Sequence, residues 1–129
     1  MTSDRVGDFI IRLKNAGAIN KPTVSVPFSK HVEEIAYKLK SLGYVKDVTK
    51  GKKDYEFEVA LAYDERGRHA INGVKRVSKP GRRLYTPAAE AHSVKNGIGT
   101  RLISTPKGVL TDAEARKNRA GGENLFEIW

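Results

Sequence analysis

The chain has 129 residues and no cysteine, so disulfides, thiolate metal sites and cysteine nucleophiles are excluded together. Its 24 Lys and Arg against 15 Asp and Glu leave a net charge of +9, which favours polyanionic partners because each neutralised phosphate releases condensed counterions. No apolar run reaches membrane-spanning length, and the N-terminus, with Asp4 and Asp8, lacks a signal-peptide core; no membrane partner is expected and the cytoplasm is the default compartment.

After Ser3 and Asp4, either suited to an N-cap, Val6, Phe9, Ile10 and Leu13 recur at i, i+3, i+4 and i+7. That spacing predicts a helix ending near Gly17, with Arg5, Arg12 and Lys14 turned outward. "TVSV" (23–26) alternates like a short strand and stops at Pro27. Ser29 then caps a second helix whose inner stripe is Val32, Ile35, Ala36 and Leu39, closed by Gly43. "YVKDVT" (44–49) and "YEFEVALAY" (55–63) flank a Lys-rich turn, and Tyr55, Phe57, Val59, Leu61 and Tyr63 share one strand face.

The composition changes at "DERGR" (64–68), which predicts an N-terminal module over 1–66 and a second over 67–129. The second reads as mostly strands: one from about Ala70 to Val77, a turn at Lys79-Pro80-Gly81, and an extended piece at Arg83 to Tyr85. A short helix opens at Pro87 and ends at Asn96-Gly97, and a strand through Leu102 and Ile103 leads into a loop at 104–108. Thr111-Asp112-Ala113-Glu114 has capping-box spacing and opens another short helix; Gly121-Gly122 breaks the chain, and "ENLFEIW" ends it as a strand. The fold class is therefore α+β: an α-β-α-β-β module followed by a mainly β module with short helices.

Charge is uneven. Residues 1–70 carry 13 basic and 10 acidic side chains, and 71–129 carry 11 and 5. Between Lys75 and Lys107 eight basic residues accompany a single acid, Glu90, so the second module carries the electropositive face.

Enzymatic readings are poorly supported. His31, His69 and His92 lie on different predicted elements without HExxH spacing, so no metal site is expected. "GIG" (97–99) lacks the third glycine of a dinucleotide fingerprint and leads into a strand, so no cofactor is implied. Ser104 and Lys107 have the Ser-x-x-Lys spacing of a serine hydrolase. Pro106 between them and the strand before them argue for a loop instead, and no Ser-Asp-Asn or Lys-Thr-Gly partner is present. As a binding loop the stretch offers the hydroxyls of Ser104 and Thr105, a mobile charge at Lys107, and close backbone approach at Gly108. "VKRVSKPGRRLYTP" (74–87) adds Lys79, Arg82 and Arg83 around a Pro-Gly turn and a ring at Tyr85 suited to stacking.

Together, "RVSKPGRRLY", "GIGTRLISTPKGVLTDAEAR" and "GGENLFEIW" closely resemble the C-terminal part of the eighth-protein family of the bacterial small ribosomal subunit. The opening "DRVGDFIIRLKNAG" and "VSVPFSKHVEEIAYKLKSLGYVKD" extend the resemblance over essentially the whole chain. It implies a non-enzymatic primary binder of small-subunit ribosomal RNA, on a cytoplasmic or organellar ribosome, beside neighbouring small-subunit proteins. It also implies RNA contacts at Ser104, Thr105, Lys107, Gly108, Tyr85 and Glu123, with lesser ones at Ser29, Lys30 and, in the first helix, Arg12. Family members resemble messenger-binding repressors of their own operon, which adds that messenger as a partner. The family tends to carry serine where this chain has Pro106, a departure that removes a hydroxyl and a backbone donor. The rival readings are a hydrolase using Ser104 and Lys107, and a basic RNA-binding regulator without ribosomal specificity.

Overall fold

The computed structural model describes residues 5–51, 55–78, 84–86 and 99–129, with the backbone alone of Thr86. The expected N-cap at Ser3 or Asp4, the turn at 52–54, the turn at 79–81 and the helix from Pro87 lie outside the described residues. The chain is α+β, with three helices and two antiparallel sheets among the described residues, and it divides into two compact units, Arg5–Asn72 and Gly73–Trp129.

The first unit runs α1 (Arg5–Ala18), β1 (Thr23–Pro27), α2 (Lys30–Leu42), β2 (Val45–Lys50) and β3 (Glu56–Leu61). The predicted stripe of α1 is its buried face, through Phe9, Ile10 and Leu13. Gly17 continues that face because the His69 ring lies against it: a Cβ there would stand 2.0 Å from His69 Nδ1. In α2, Ser29 has the extended N-cap backbone (φ −152, ψ 130), but its hydroxyl makes no capping hydrogen bond. The cap expected of Ser29 is therefore positional only. A missing cap costs about 1 kcal/mol. Burial of Val32, Ile35, Ala36 and Leu39, at roughly 1.5–3 kcal/mol for each large aliphatic side chain, outweighs it. Gly43 ends the helix in the left-handed region at φ 89, where a side chain is disfavoured.

The three strands order as β1-β3-β2, all antiparallel. Phe57, Val59 and Leu61 are buried as the alternation predicts, whereas Tyr55 and Tyr63 fall beyond the ends of β3. Tyr55 is exposed, and the Tyr63 hydroxyl donates to the Lys21 carbonyl at 2.5 Å. "DERGR" is a turn: Asp64 Oδ1 accepts from the amides of Arg66 (2.9 Å) and Arg68 (2.8 Å), and Tyr63 bridges His69 behind it.

The second unit runs β4 (Val74–Arg76), β5 (Tyr85–Thr86), β6 (Thr100–Thr105), β7 (Gly108–Thr111), α3 (Asp112–Asn118) and β8 (Gly122–Ile128). The single strand expected from Ala70 to Val77 is shorter, because Ala70 donates to the Ala62 carbonyl and ladder pairing with β8 begins only at Val74. Gly73 and Trp129 exchange two 3.1 Å hydrogen bonds, and the half-buried indole lies over Gly73, where a Cβ would stand 2.5 Å from it. The sheet order is β4-β8-β6-β7, and β5 also pairs β8. β4 takes the C-terminal end of β8 and β5 its N-terminal end, while β6 pairs along β8 from Ile128 to Glu123. Leu102, Ile103, Val109, Ala115, Ala120, Leu125, Phe126 and Ile128 are buried apolar residues of this unit.

The capping box is present in full: Thr111 Oγ1 accepts from the Glu114 amide at 3.1 Å, and the Glu114 carboxylate accepts from the Thr111 amide at 3.0 Å. The expected break at Gly121-Gly122 falls one residue early, since β8 begins at Gly122.

Candidate nucleic-acid interface

Strand register brings three of the expected residues into one row. Glu123 on β8 pairs with Tyr85 on one side and with Ser104 on the other. Directly opposed residues in antiparallel strands present their side chains to the same face about 4.5–5.5 Å apart. Tyr85 is 69% exposed, so its ring is not a core tyrosine; Glu123 and Ser104 are half-buried beside it. The Ser104 hydroxyl makes no hydrogen bond among the described residues, which leaves its donor and its lone pairs for a ligand.

The tip beyond Ser104 is a tight hairpin rather than an open loop. Ser104 and Thr105 are the last residues of β6, and Thr105 pairs with Gly108 across the Pro106-Lys107 turn. Thr105 Oγ1 donates to the Gly108 carbonyl at 2.7 Å and accepts from the Lys107 amide at 3.1 Å. Its only proton is therefore committed, and one lone pair remains for a ligand donor. Pro106 sits where a turn needs φ near −65° and no N–H. Neither Pro106 nor Lys107 has positive φ; Gly108, at φ 113, supplies the left-handed step that lets the strands keep their twist.

Lys107 does not approach Ser104 as a catalytic amine. Its Nζ donates to the carbonyl of Asn118, at the end of α3, at 3.4 Å. Together with Ser104 on a strand, this removes the geometry a Ser-x-x-Lys nucleophile needs. Among the described residues no group of three His, Asp or Glu side chains converges to hold a metal ion, and no helix is long and apolar enough to cross a membrane.

Lys79, Arg82 and Arg83 lie outside the described residues, but the chain on either side of them is held firmly. Ser78, 1% exposed, accepts from the Leu84 amide at 2.9 Å and donates to the Leu84 carbonyl at 3.1 Å through the same hydroxyl. The Ser78 amide donates to the Asn124 carbonyl (3.0 Å), and the Asn124 amide donates to the Leu84 carbonyl (2.9 Å). The mouth of this basic segment is thus pinned to β8 one residue from Glu123.

Most of the other acids of this unit are held by partners within the fold. Glu127 pairs with Arg101, whose Nε lies 3.1 Å from Oε2, and both side chains are nearly buried (13% and 14% exposed). Arg101, counted with the electropositive run, is therefore structural. Asp112 accepts from the Arg101 amide (3.2 Å) and from Arg116 (3.3 Å), and Glu114 is taken up by the capping box. Among the described acids of this unit, Glu123 alone stands in the row.

Ser29, Lys30 and Arg12 belong to the first unit and are described by themselves. Lys30 opens α2 and is exposed, and Ser29 precedes it with a hydroxyl not used for capping. Arg12 is committed in part, through Asp8 at 2.9 Å and the Ser25 carbonyl at 3.0 Å.

Two positioning residues escaped the sequence reading. Gly122 lies against β6 so closely that a Cβ would stand 2.0 Å from the Ser104 carbonyl oxygen. A glycine at a strand end is a sign of such close approach, which the reading of 121–122 as a break passed over. Ser78 carried no signal, because a serine clasp spanning six residues has no local spacing rule.

A family model described as ribosomal protein S8 matches residues 4–129. Among curated relatives, the small ribosomal subunit protein uS8 of Persephonella marina is 42% identical, with all of both chains covered. That of Nitratidesulfovibrio vulgaris is 43% identical over 129 residues, again with full coverage, and that of Pediococcus pentosaceus is 40% identical with 98% of each chain covered. With the match spanning both units and every element described above, the chain belongs to the ribosomal protein S8 family.

Proposed function

We propose that this chain is a structural, non-enzymatic constituent of the small ribosomal subunit, which binds small-subunit ribosomal RNA and supports subunit assembly and translation. The observation that carries the reading is the row Tyr85–Glu123–Ser104, ending at a hairpin tip. Phosphates position an RNA, and other contacts choose it. A-form RNA hides its major groove from side chains, so selectivity comes from an irregular minor groove or an unstacked base. Tyr85 offers a stacking face, the Ser104 hydroxyl reaches a ribose 2′-hydroxyl or base edge, and Glu123 accepts from an exocyclic amine or ribose hydroxyl. Lys79, Arg82 and Arg83, on the segment pinned by Ser78, supply phosphate contacts, with Lys107 at the tip. Ser29, Lys30 and Arg12 add contacts from the first unit.

The test is co-sedimentation with small ribosomal subunits at moderate salt, followed by equilibrium binding to small-subunit ribosomal RNA. Tyr85→Ala should lose about 1–3 kcal/mol through stacking, and Ser104→Ala on the order of 1 kcal/mol. A chain absent from the subunits refutes the assignment. Neighbouring small-subunit proteins are its protein partners, and the ribosome of the cytoplasm or an organelle is its location. A messenger of its own operon, folded to the same shape, is the finer reading: it should compete with ribosomal RNA and lose affinity in the Tyr85→Ala variant to the same degree.

A further inference from the structure

We propose that the C-terminal end of α3 is a second phosphate grip centred on Arg119, a residue held in a strained conformation. The inference rests on the RNA-binding reading above and extends the contact surface beyond the row and the hairpin tip.

The acids of α3 are spent at its first turn, where Asp112 holds the Arg101 amide and Arg116, and Glu114 closes the capping box. Its last turn carries Lys117 and then Arg119, both exposed. The Lys107 ammonium arrives there from the β6–β7 turn, on the Asn118 carbonyl. The end of α3 and the hairpin tip are therefore one neighbourhood, and the chain runs from Arg119 through buried Ala120 to Gly122, against the Ser104 carbonyl.

Arg119 is the C-cap of α3, at φ 52 and ψ 43, in the left-handed region where glycine or asparagine is at home. The capping itself is done by its backbone N–H, directed to the Ala115 and Arg116 carbonyls, which any residue except proline supplies equally. The guanidinium makes no hydrogen bond or ion pair among the described residues. Among the described residues, the fold thus bears the strain of a side chain at this position without using the side chain. A cation at a helix C-terminus does offset the helix dipole, but Lys117 and Lys107 already stand at this end. Strain that the fold does not use points to a ligand outside it. A guanidinium fork matches two oxygens of one phosphodiester, the group that an RNA docked on the row carries along its backbone.

The experiment compares Arg119→Gly, Arg119→Asn and Arg119→Lys in the full chain, by thermal unfolding and by equilibrium binding to small-subunit ribosomal RNA from about 50 to 200 mM salt. Arg119→Gly and Arg119→Asn should keep the melting temperature or raise it by up to about 5 °C, since relief of strain offsets the added freedom of the unfolded chain. Both should weaken binding several-fold and lessen the slope of log K against log salt by about 0.7–0.9. Arg119→Lys, still charged and still strained, should restore the slope. If the parent chain binds and Arg119→Gly binds with the same affinity and slope, the grip is refuted while the RNA-binding reading stands. If Arg119→Gly melts markedly lower, Arg119 serves the fold and the proposal is equally refuted. Failure of the parent chain to bind refutes the underlying reading instead.

Discussion

Replacing Ser78 by alanine isolates the clasp that holds the mouth of the 79–83 segment. The substitution removes one oxygen from a site that is 1% exposed, so the cavity is small and the cost lies in hydrogen bonds. Two are lost, the one from the Leu84 amide and the one to the Leu84 carbonyl. The carbonyl keeps the Asn124 amide at 2.9 Å, so only the Leu84 N–H is orphaned. Leu84 is 37% exposed, and water compensates part of that loss. The balance is about 1–2 kcal/mol, which for a unit of this size lowers the melting temperature by roughly 5–15 °C. RNA affinity should fall further than stability alone dictates, because Lys79, Arg82 and Arg83 lose their fixed base; a tenfold loss corresponds to about 1.4 kcal/mol. Calorimetry and filter binding on the same preparation measure both. A variant within about 0.3 kcal/mol of the parent, with unchanged affinity, refutes the view that this hydroxyl positions the segment.

Other outcomes follow from the same geometry. Gly122→Ala drives a methyl into the Ser104 carbonyl and should cost about 1–3 kcal/mol in urea unfolding, while separating Ser104 from Glu123 and reducing RNA affinity. Arg101→Ala strands the nearly buried Glu127 and should destabilise by about 2–4 kcal/mol, most of it recovered when Glu127→Leu is combined with Arg101→Met. Desolvation holds His69 below its ordinary pKa of 6.5, and its Nε2 is buried without a partner among the described residues. The unfolded chain then binds the proton more readily than the folded one, so stability is full above about pH 7 and falls as pH drops through the unfolded value near 6.5. Urea titrations from pH 7.5 to about 5 should show this decline, lessened in His69→Gln.

Much of the fold was legible where periodicity is strong. The stripes of α1 and α2 and the alternation of β3 are local patterns that burial enforces, and Thr111 with Glu114 is a spacing rule the structure obeys atom for atom. What was not legible depends on partners distant in sequence. The strand expected from Ala70 contracted to Val74–Arg76 because Ala70 bonds Ala62 while Val74 bonds β8. At the candidate site, hydroxyl and aromatic chemistry could be read directly, but register could not. That Glu123 stands between Tyr85 and Ser104 follows from the alignment of β8 with two strands, and that Thr105 spends its proton on Gly108 follows from the turn. The clasp of Ser78 across to Leu84 obeys no sequence rule at all.

β8 binds β4, β5 and β6, and all three precede it along the chain. These segments are synthesised before the strand that satisfies their β8-facing edges, and Val74 waits for Ile128. This sheet is thus completed by its latest strand, through pairings distant in sequence that make its closure slow. Nascent chains that stop short of Gly122 carry β4, β5 and β6 without the strand that aligns them. In such chains Tyr85 and Ser104 lack the β8 register that sets them on either side of Glu123.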